Sequence, residues 1–294
     1  MASLTVHDVP ALRDPVLMLA FYGWNDAADA ATDALRYVRR TARGSRKDER
    51  VAEIDPEDFF VFTEHRPTVS ITKGTTREIT WPTTEFTVAR LESASQDLIV
   101  GIGTEPDLKW KTFTGHVLTL MERLGVNEVV TVGALLADTP HTRPVPVSGG
   151  ASDPKRAADL GFQPSSYEGP TGIVGAIGDA CRRKGLEHIS LWASVPHYVA
   201  GGRNPKAMHA LLSRLNDVYT LGLDLSDLER RSNRYERQVS EALKDNPDVQ
   251  DYVRNLEATQ SGDETPSTDA PPLSSQDVLD EVQRLLTKDG LDGG

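Results

Sequence analysis

The chain carries a single cysteine, Cys181, in 294 residues. That excludes an internal disulfide and any zinc site built on cysteines. Basic charge is also scarce: the net charge is -12 and the pI about 5.1. An acidic chain repels nucleic acid at long range and lacks the electrostatic footprint of a DNA or RNA binder. Only residues 36–47 are densely basic, and a solvated helix face accounts for them. The longest apolar runs, 16–22 and 129–137, fall far short of the roughly 18 to 20 residues that cross a bilayer. No export signal stands near Met1, so a cytoplasmic location is expected, with no membrane contact.

Several chemical signatures are missing as well. The GxG of "GIGTEP" (101–106) lacks the third glycine of a dinucleotide fingerprint, and no GxxxxGK[ST] is present. There is no HExxH, no histidine pair at i and i+4 and no GxSxG elbow, so neither metal nor cofactor is expected. A hydrolase triad could arise only in three dimensions, from Ser148, Ser166 or Ser194 with His141 or His197.

What is present is an alternation of strands and helices. Residues 16–21 (VLMLAF), 97–103 (DLIVGIG), 128–136 (EVVTVGALL) and 188–195 (HISLWASV) read as buried strands ending in polar or glycine-bearing loops. An alanine-rich helix is expected from Asn25 or Asp26 to Val38, and others over 107–124, 171–184 and 205–221. This predicts an α/β fold with a mainly parallel sheet flanked by helices. Within residues 50–91, "VSITKGTTREITW" reads as a hairpin and "FTVARL" as a further strand, a small antiparallel excursion.

Residues 1–225 are assigned to this core. Leu225, Leu228, Tyr235, Val239 and Leu243, then Val249, Tyr252, Val253 and Leu256 beyond Asn246-Pro247, predict a helical appendage over 226–259. Residues 260–275 have the composition of a disordered linker. The acidic tail 276–294 carries a last helical stripe, Val278, Val282, Leu285 and Leu286, able to dock on its own chain or on a protein partner.

Ligands of open α/β sheets bind beyond the carboxyl ends of the strands, so the loops there hold the candidate ligand-binding residues. Asn25 and Asp26 follow the first strand, with helix capping as their ordinary role. Glu105 precedes Pro106 at the start of the next helix, where the macrodipole favours an ionised carboxylate. His141 and Arg143 stand among the prolines of "TPHTRPVPV" (139–147). Glu168 and Thr171 open a helix with an anion-accepting start, "EGPTG" (168–172). The glycines 172, 175 and 178 weaken that helix and imply close backbone approach. His197 follows Pro196 in "SVPHY" (194–198), in the same strand-proline-histidine order as His141.

At these loops the sequence resembles the actinobacterial branch of the proteasome assembly chaperone 2 family. The resemblance rests on "GWNDAADAA" (23–31), "EIDPEDFF" (53–60), "RP" (66–67), "REITWP" (77–82), "GTEPDLKW" (103–110) and "GALLADTPHTRPVPV" (133–147). It continues through "SYEGPTGIVG" (166–175), "SLWASVPHYV" (190–199) and "NPKA" (204–207), spanning roughly residues 15 to 258. It implies a fold like that of nucleoside phosphorylases and peptidyl-type hydrolases, with a helical C-terminal appendage. It also implies homo-oligomers, specifically trimers, and supplies no catalytic residues.

Two readings follow. The first is a non-enzymatic, oligomeric assembly or interaction protein. The second is an enzyme or binding protein for a small anionic or nucleoside-like ligand, held by Arg143 and the Thr171 helix end. In the second, Glu105 or Glu168 contacts a hydroxyl and His141 or His197 moves a proton, which requires these side chains to converge.

Overall fold

The computed structural model describes residues 3–42, 50–72, 76–199 and 201–259. The elements run β1 (Leu4–Val6), β2 (Val16–Tyr22), α1 (Ala30–Thr41), β3 (Arg50–Ile54), β4 (Thr68–Thr72), β5 (Thr76–Thr80), β6 (Thr84–Ala89), β7 (Leu98–Thr104) and α2 (Trp110–Leu124). They continue with β8 (Glu128–Ala137), β9 (Val147–Ala151), α3 (Pro154–Asp159), α4 (Ile173–Lys184), β10 (Glu187–Pro196), α5 (Pro205–Tyr219), α6 (Ser226–Leu243) and α7 (Pro247–Thr259). The linker and tail helix expected over 260–294 lie outside the described residues.

Eight strands form one mixed sheet in the order β1-β3-β6-β7-β2-β8-β10-β9. The four central strands, β7, β2, β8 and β10, are parallel. The margins are antiparallel, with β1, β3 and β6 on one side and β9 on the other. The expected excursion therefore divides in two: β3 and β6 extend the main sheet, while β4 and β5 pair only with each other.

Alternation along β2 shows how the strands order the layers. Val16, Met18 and Ala20 enter one core with α1 and α5, and Leu17, Leu19 and Phe21 enter the other with α2 and α4. Side chains of successive strand residues point to opposite faces, so an unbroken apolar run serves a sheet covered on both sides. A third, smaller cluster lies under the appendage, where Tyr235, Val239 and Leu243 of α6 meet Val249 and Val253 of α7. Tyr198 and Val199, just beyond β10, join it, so the strand end seats the appendage.

The first helix starts later than its capping residues suggest. Ala28 and Asp29 adopt left-handed conformations, φ 56° and 54°, and a short 3-10 turn, Ala27–Asp29, precedes α1. Asp26 still serves that helix from a distance, as described next.

Candidate functional site

Gly23, at φ 113°, turns the chain sharply out of β2 and delivers Asn25 and Asp26 beside β8. The Ala134 amide donates to the Asn25 carbonyl at 2.8 Å. The buried Asp26 carboxylate accepts from the Ala31 amide at 2.7 Å, the Thr32 amide at 3.2 Å and the Thr32 hydroxyl. It is a helix cap. Burial pushes its carboxyl up to about 6, against the pull of those hydrogen bonds.

Asn25 is fully buried and donates through Nδ2 to Glu105 Oε1 at 2.7 Å. The same oxygen accepts from the Ile173 amide at 2.8 Å. Glu105 thus caps α4, a helix from elsewhere in the sequence, rather than acting at the start of α2. Gly172 makes this possible, because a Cβ there would lie 2.1 Å from Asn25 Oδ1. Gly178 allows the same closeness to His188 on β10. Close approach explains these helix glycines.

His141 points away from this cluster, toward the appendage and not toward the helix opened by "EGPTG". Its backbone amide donates to Tyr198 Oη at 2.8 Å, and Nδ1 lies 2.9 Å from the same oxygen. Nε2 lies 3.0 Å from Ser240 Oγ, whose proton goes to the Glu236 carbonyl. The network therefore assigns the ring proton to Nε2, leaving Nδ1 to accept from Tyr198. Lys206 donates to the His141 carbonyl and pairs with Glu236. Burial, with Lys206 adding to it, holds the ring down to about 4, so it is neutral at physiological pH.

His197 Nδ1 lies 3.7 Å from Asp138 Oδ1, which accepts from Tyr252 at 2.9 Å. The rings of His141, Tyr198, His197 and Tyr252 meet edge to face, with centroids 5.5 to 6.2 Å apart. Such contacts fix α7 over the strand ends. Thr142 bonds Glu257 in the last turn of α7.

The candidate residues thus divide three ways. Asn25 and Glu105 join Gly172 and Ile173, while Asp26 caps α1 beside them. His141 and His197 secure the appendage. Arg143, Glu168 and Thr171 are exposed. Among the described residues no group of three or more histidine, cysteine or acidic side chains could hold a metal. No helix among them is long and apolar enough to cross a membrane.

Sequence reading missed what lies exposed at this edge. In β4–β5, Val69, Ile71 and Ile79 are 57%, 65% and 58% exposed on one face, continued by Trp81 at 46%. Trp24 after β2, Leu108 after β7, and Leu135 and Leu136 at the end of β8 are also exposed. Tyr167 joins them in the segment leading to α4. These are all the exposed large apolar side chains among the described residues, and all belong to the carboxyl edge or the segments leading to it. The alternation in "VSIT" and "REITW" was the available signal, read there for strand pairing and not for what its apolar face would meet.

Fold and site together define a three-layer α/β protein whose strand ends anchor helices. The PAC2 family model matches residues 20–243. A PAC2 family protein from Streptomyces avermitilis is 43% identical, with TM-score 0.74, covering 82% of this chain and all of that one. A proteasome-assembly chaperone homologue from Mycobacterium tuberculosis is 40% identical, with TM-score 0.74, covering 81% and 99%. The chain belongs to the PAC2 family, in its actinobacterial branch. PbaB, an archaeal proteasome activator from Pyrococcus furiosus, shares the fold at 17% identity, with TM-score 0.63 over 82% and 98%. No curated protein matches the chain.

Proposed function

We propose that this chain is a non-enzymatic, oligomeric assembly protein that binds proteasome subunits in the cytoplasm, with its apolar carboxyl edge as the contact face. The observation that carries this reading is the use of three ionisable candidates, the buried Asp26 and His141 and the part-buried Glu105. Asp26 caps α1, Glu105 caps α4, and His141 spends its amide and Nδ1 on Tyr198, its carbonyl on Lys206 and its Nε2 on Ser240 of α6. Each of the three holds a helix or strand end of the fold in place. The name of the Mycobacterium tuberculosis relative supplies the kind of partner. A large exposed apolar area is what a protein-binding face requires.

In this reading the phosphorylase- or hydrolase-like layering is a scaffold without that chemistry, and the functional unit is a trimer. The test mixes the purified chain with purified proteasome α and β subunits of its own organism. A stoichiometric complex and faster ring assembly are expected; unchanged assembly with no complex would sink the reading. Sedimentation equilibrium checks the trimer.

A further inference from the structure

We propose that β9 pairs with β9 of a second copy of this chain, antiparallel about a two-fold axis at Gly149, so that the two sheets become one. β9 is the last strand of its sheet, and one of its edges meets no other strand. Its register with β10 shows which backbone groups face that edge. The Ser152 amide donates to the His188 carbonyl at 2.8 Å and the Ser194 amide to the Pro146 carbonyl at 3.0 Å, and hydrogen-bonded pairs alternate along an antiparallel ladder. Residues 146, 148, 150 and 152 therefore bond inward. Val147, Gly149 and Ala151 turn their N–H and C=O groups outward, and among the described residues no hydrogen bond reaches those groups. All three residues are half-buried.

Free edges are normally blunted by brevity, charge, proline or a bulge. The opposite margin of the sheet uses two of these devices: β1 has three residues, and the β3–β6 pair shifts register between Arg50 and Ala52. β9 uses none of them, with five residues in unbroken register and no charged residue from Pro144 to Ser152. Pro146 does not block it. That proline falls at an inward position, where its missing N–H removes a bond to β10 and leaves every outward donor in place.

The strand's own pattern selects a second copy as the occupant. With Gly149 on the axis, Val147 of each copy faces Ala151 of the other and Gly149 faces Gly149, so every outward N–H and C=O finds a partner. Only this register pairs all three residues within the strand. Large meets small on both faces, Val147 with Ala151 and Ser148 with Gly150, so no side chains collide across the join. The contact is isologous and uses none of the carboxyl-edge residues. It therefore stands apart from the assembly reading, and beside the proposed three-fold it joins two trimers.

The join is small, so cysteine cross-linking of the full chain, which traps a short-lived contact, is the test. Ser148→Cys combined with Gly150→Cys sets new thiols directly opposite each other, about 4.5 Å apart at Cα and within disulfide reach. In either single variant the two copies' thiols meet only along the diagonal, about 7–8 Å, beyond that reach. Ser148 is exposed, and a Cβ at Gly150 meets only Ser190 Oγ at 3.5 Å, so both positions accept the change. Native Cys181 is buried, with its thiol pushed up to about 11, and does not compete. Mild oxidation of the double variant should give a covalent dimer carrying the 148–150 bridge, identified by peptide mass. Adding Ala151→Pro removes one outward donor, puts a ring on the edge and spares the inward bonds, so the yield should fall at least about tenfold with unchanged circular dichroism. No covalent dimer, equal bridging in the single variants, or bridging that survives Ala151→Pro would each overturn the proposal. The comparison of double with single variants holds even where Ala151→Pro fails to fold.

Discussion

Glu105 Oε1 holds the Ile173 amide at 2.8 Å and the Asn25 amide nitrogen at 2.7 Å, so one carboxylate oxygen ties the loop after β2 to the start of α4. A free helix N-terminus and a buried side-chain amide both need an acceptor, and a carboxylate supplies it with charge favourable to the helix dipole. Replacing Glu105 by Ala should cost about 2–3 kcal/mol by leaving two donors unpaired in a part-buried place. Glu105→Gln, which keeps an acceptor oxygen, should cost less. Urea unfolding of the two variants checks the order.

Gly172 is the space into which Asn25 fits. Gly172→Ala should destabilise the fold by about 1–3 kcal/mol, because the new methyl meets Asn25 Oδ1 at 2.1 Å. In Asn25→Ala the same change should be far milder. A double-mutant cycle giving simple additivity would contradict this account of the glycine.

His141 sets an acid limit on appendage docking. Its ring is held to about 4 in the fold against an ordinary 6.5, so the unfolded chain takes up the proton first as pH falls. Its contribution is complete above pH 6.5 and is lost as pH falls toward 4, by about 3 kcal/mol at most. Half-buried His188, also held to about 4 by desolvation, adds in the same window. His141→Gln should lower stability at neutral pH, and the gap between parent and variant should close as pH falls from about 6.5 to about 4.5, as the His141 contribution is lost while that of Asp26 changes in the opposite sense in both. Urea midpoints across that range provide the measurement.

Asp26 runs the opposite way. Its carboxyl is raised to about 6 from 3.8, so the fold holds the proton more tightly than the unfolded chain. Its contribution is greatest below pH 3.8 and falls as pH rises through 6. Asp26→Asn keeps an acceptor for α1 and removes the buried charge, so stability above pH 6 should stay within about 1 kcal/mol of the parent. Asp26→Ala should lose about 2 kcal/mol, because the Ala31 and Thr32 donors then lack their cap. Thermal unfolding at neutral pH separates the two.

The four parallel strands were legible because each is an apolar run followed by a helical period. The hairpin was legible from β-branched alternation, and the α6–α7 break from Asn246-Pro247. The joining of β3 and β6 to the main sheet was not, because strand partners are chosen by long-range pairing and not by local pattern. The late start of α1 was hidden for a related reason. Ala28 takes a left-handed angle that its type does not favour, next to an Asp29 whose type tolerates one, and the Asn204 amide bonds the Ala28 carbonyl there.

By itself the sequence determined which loops would stand at the strand ends and which unusual residues they would carry. It also determined that the chain would be acidic, without disulfides and without a recognisable catalytic motif. Only the tertiary structure decided what those residues do. Glu105 caps a helix 68 positions away, His141 turns its ring toward α6, and the hairpin presents its apolar face outward. Each outcome depends on which elements pack side by side, and direction and partner are properties of packing that a linear pattern does not contain.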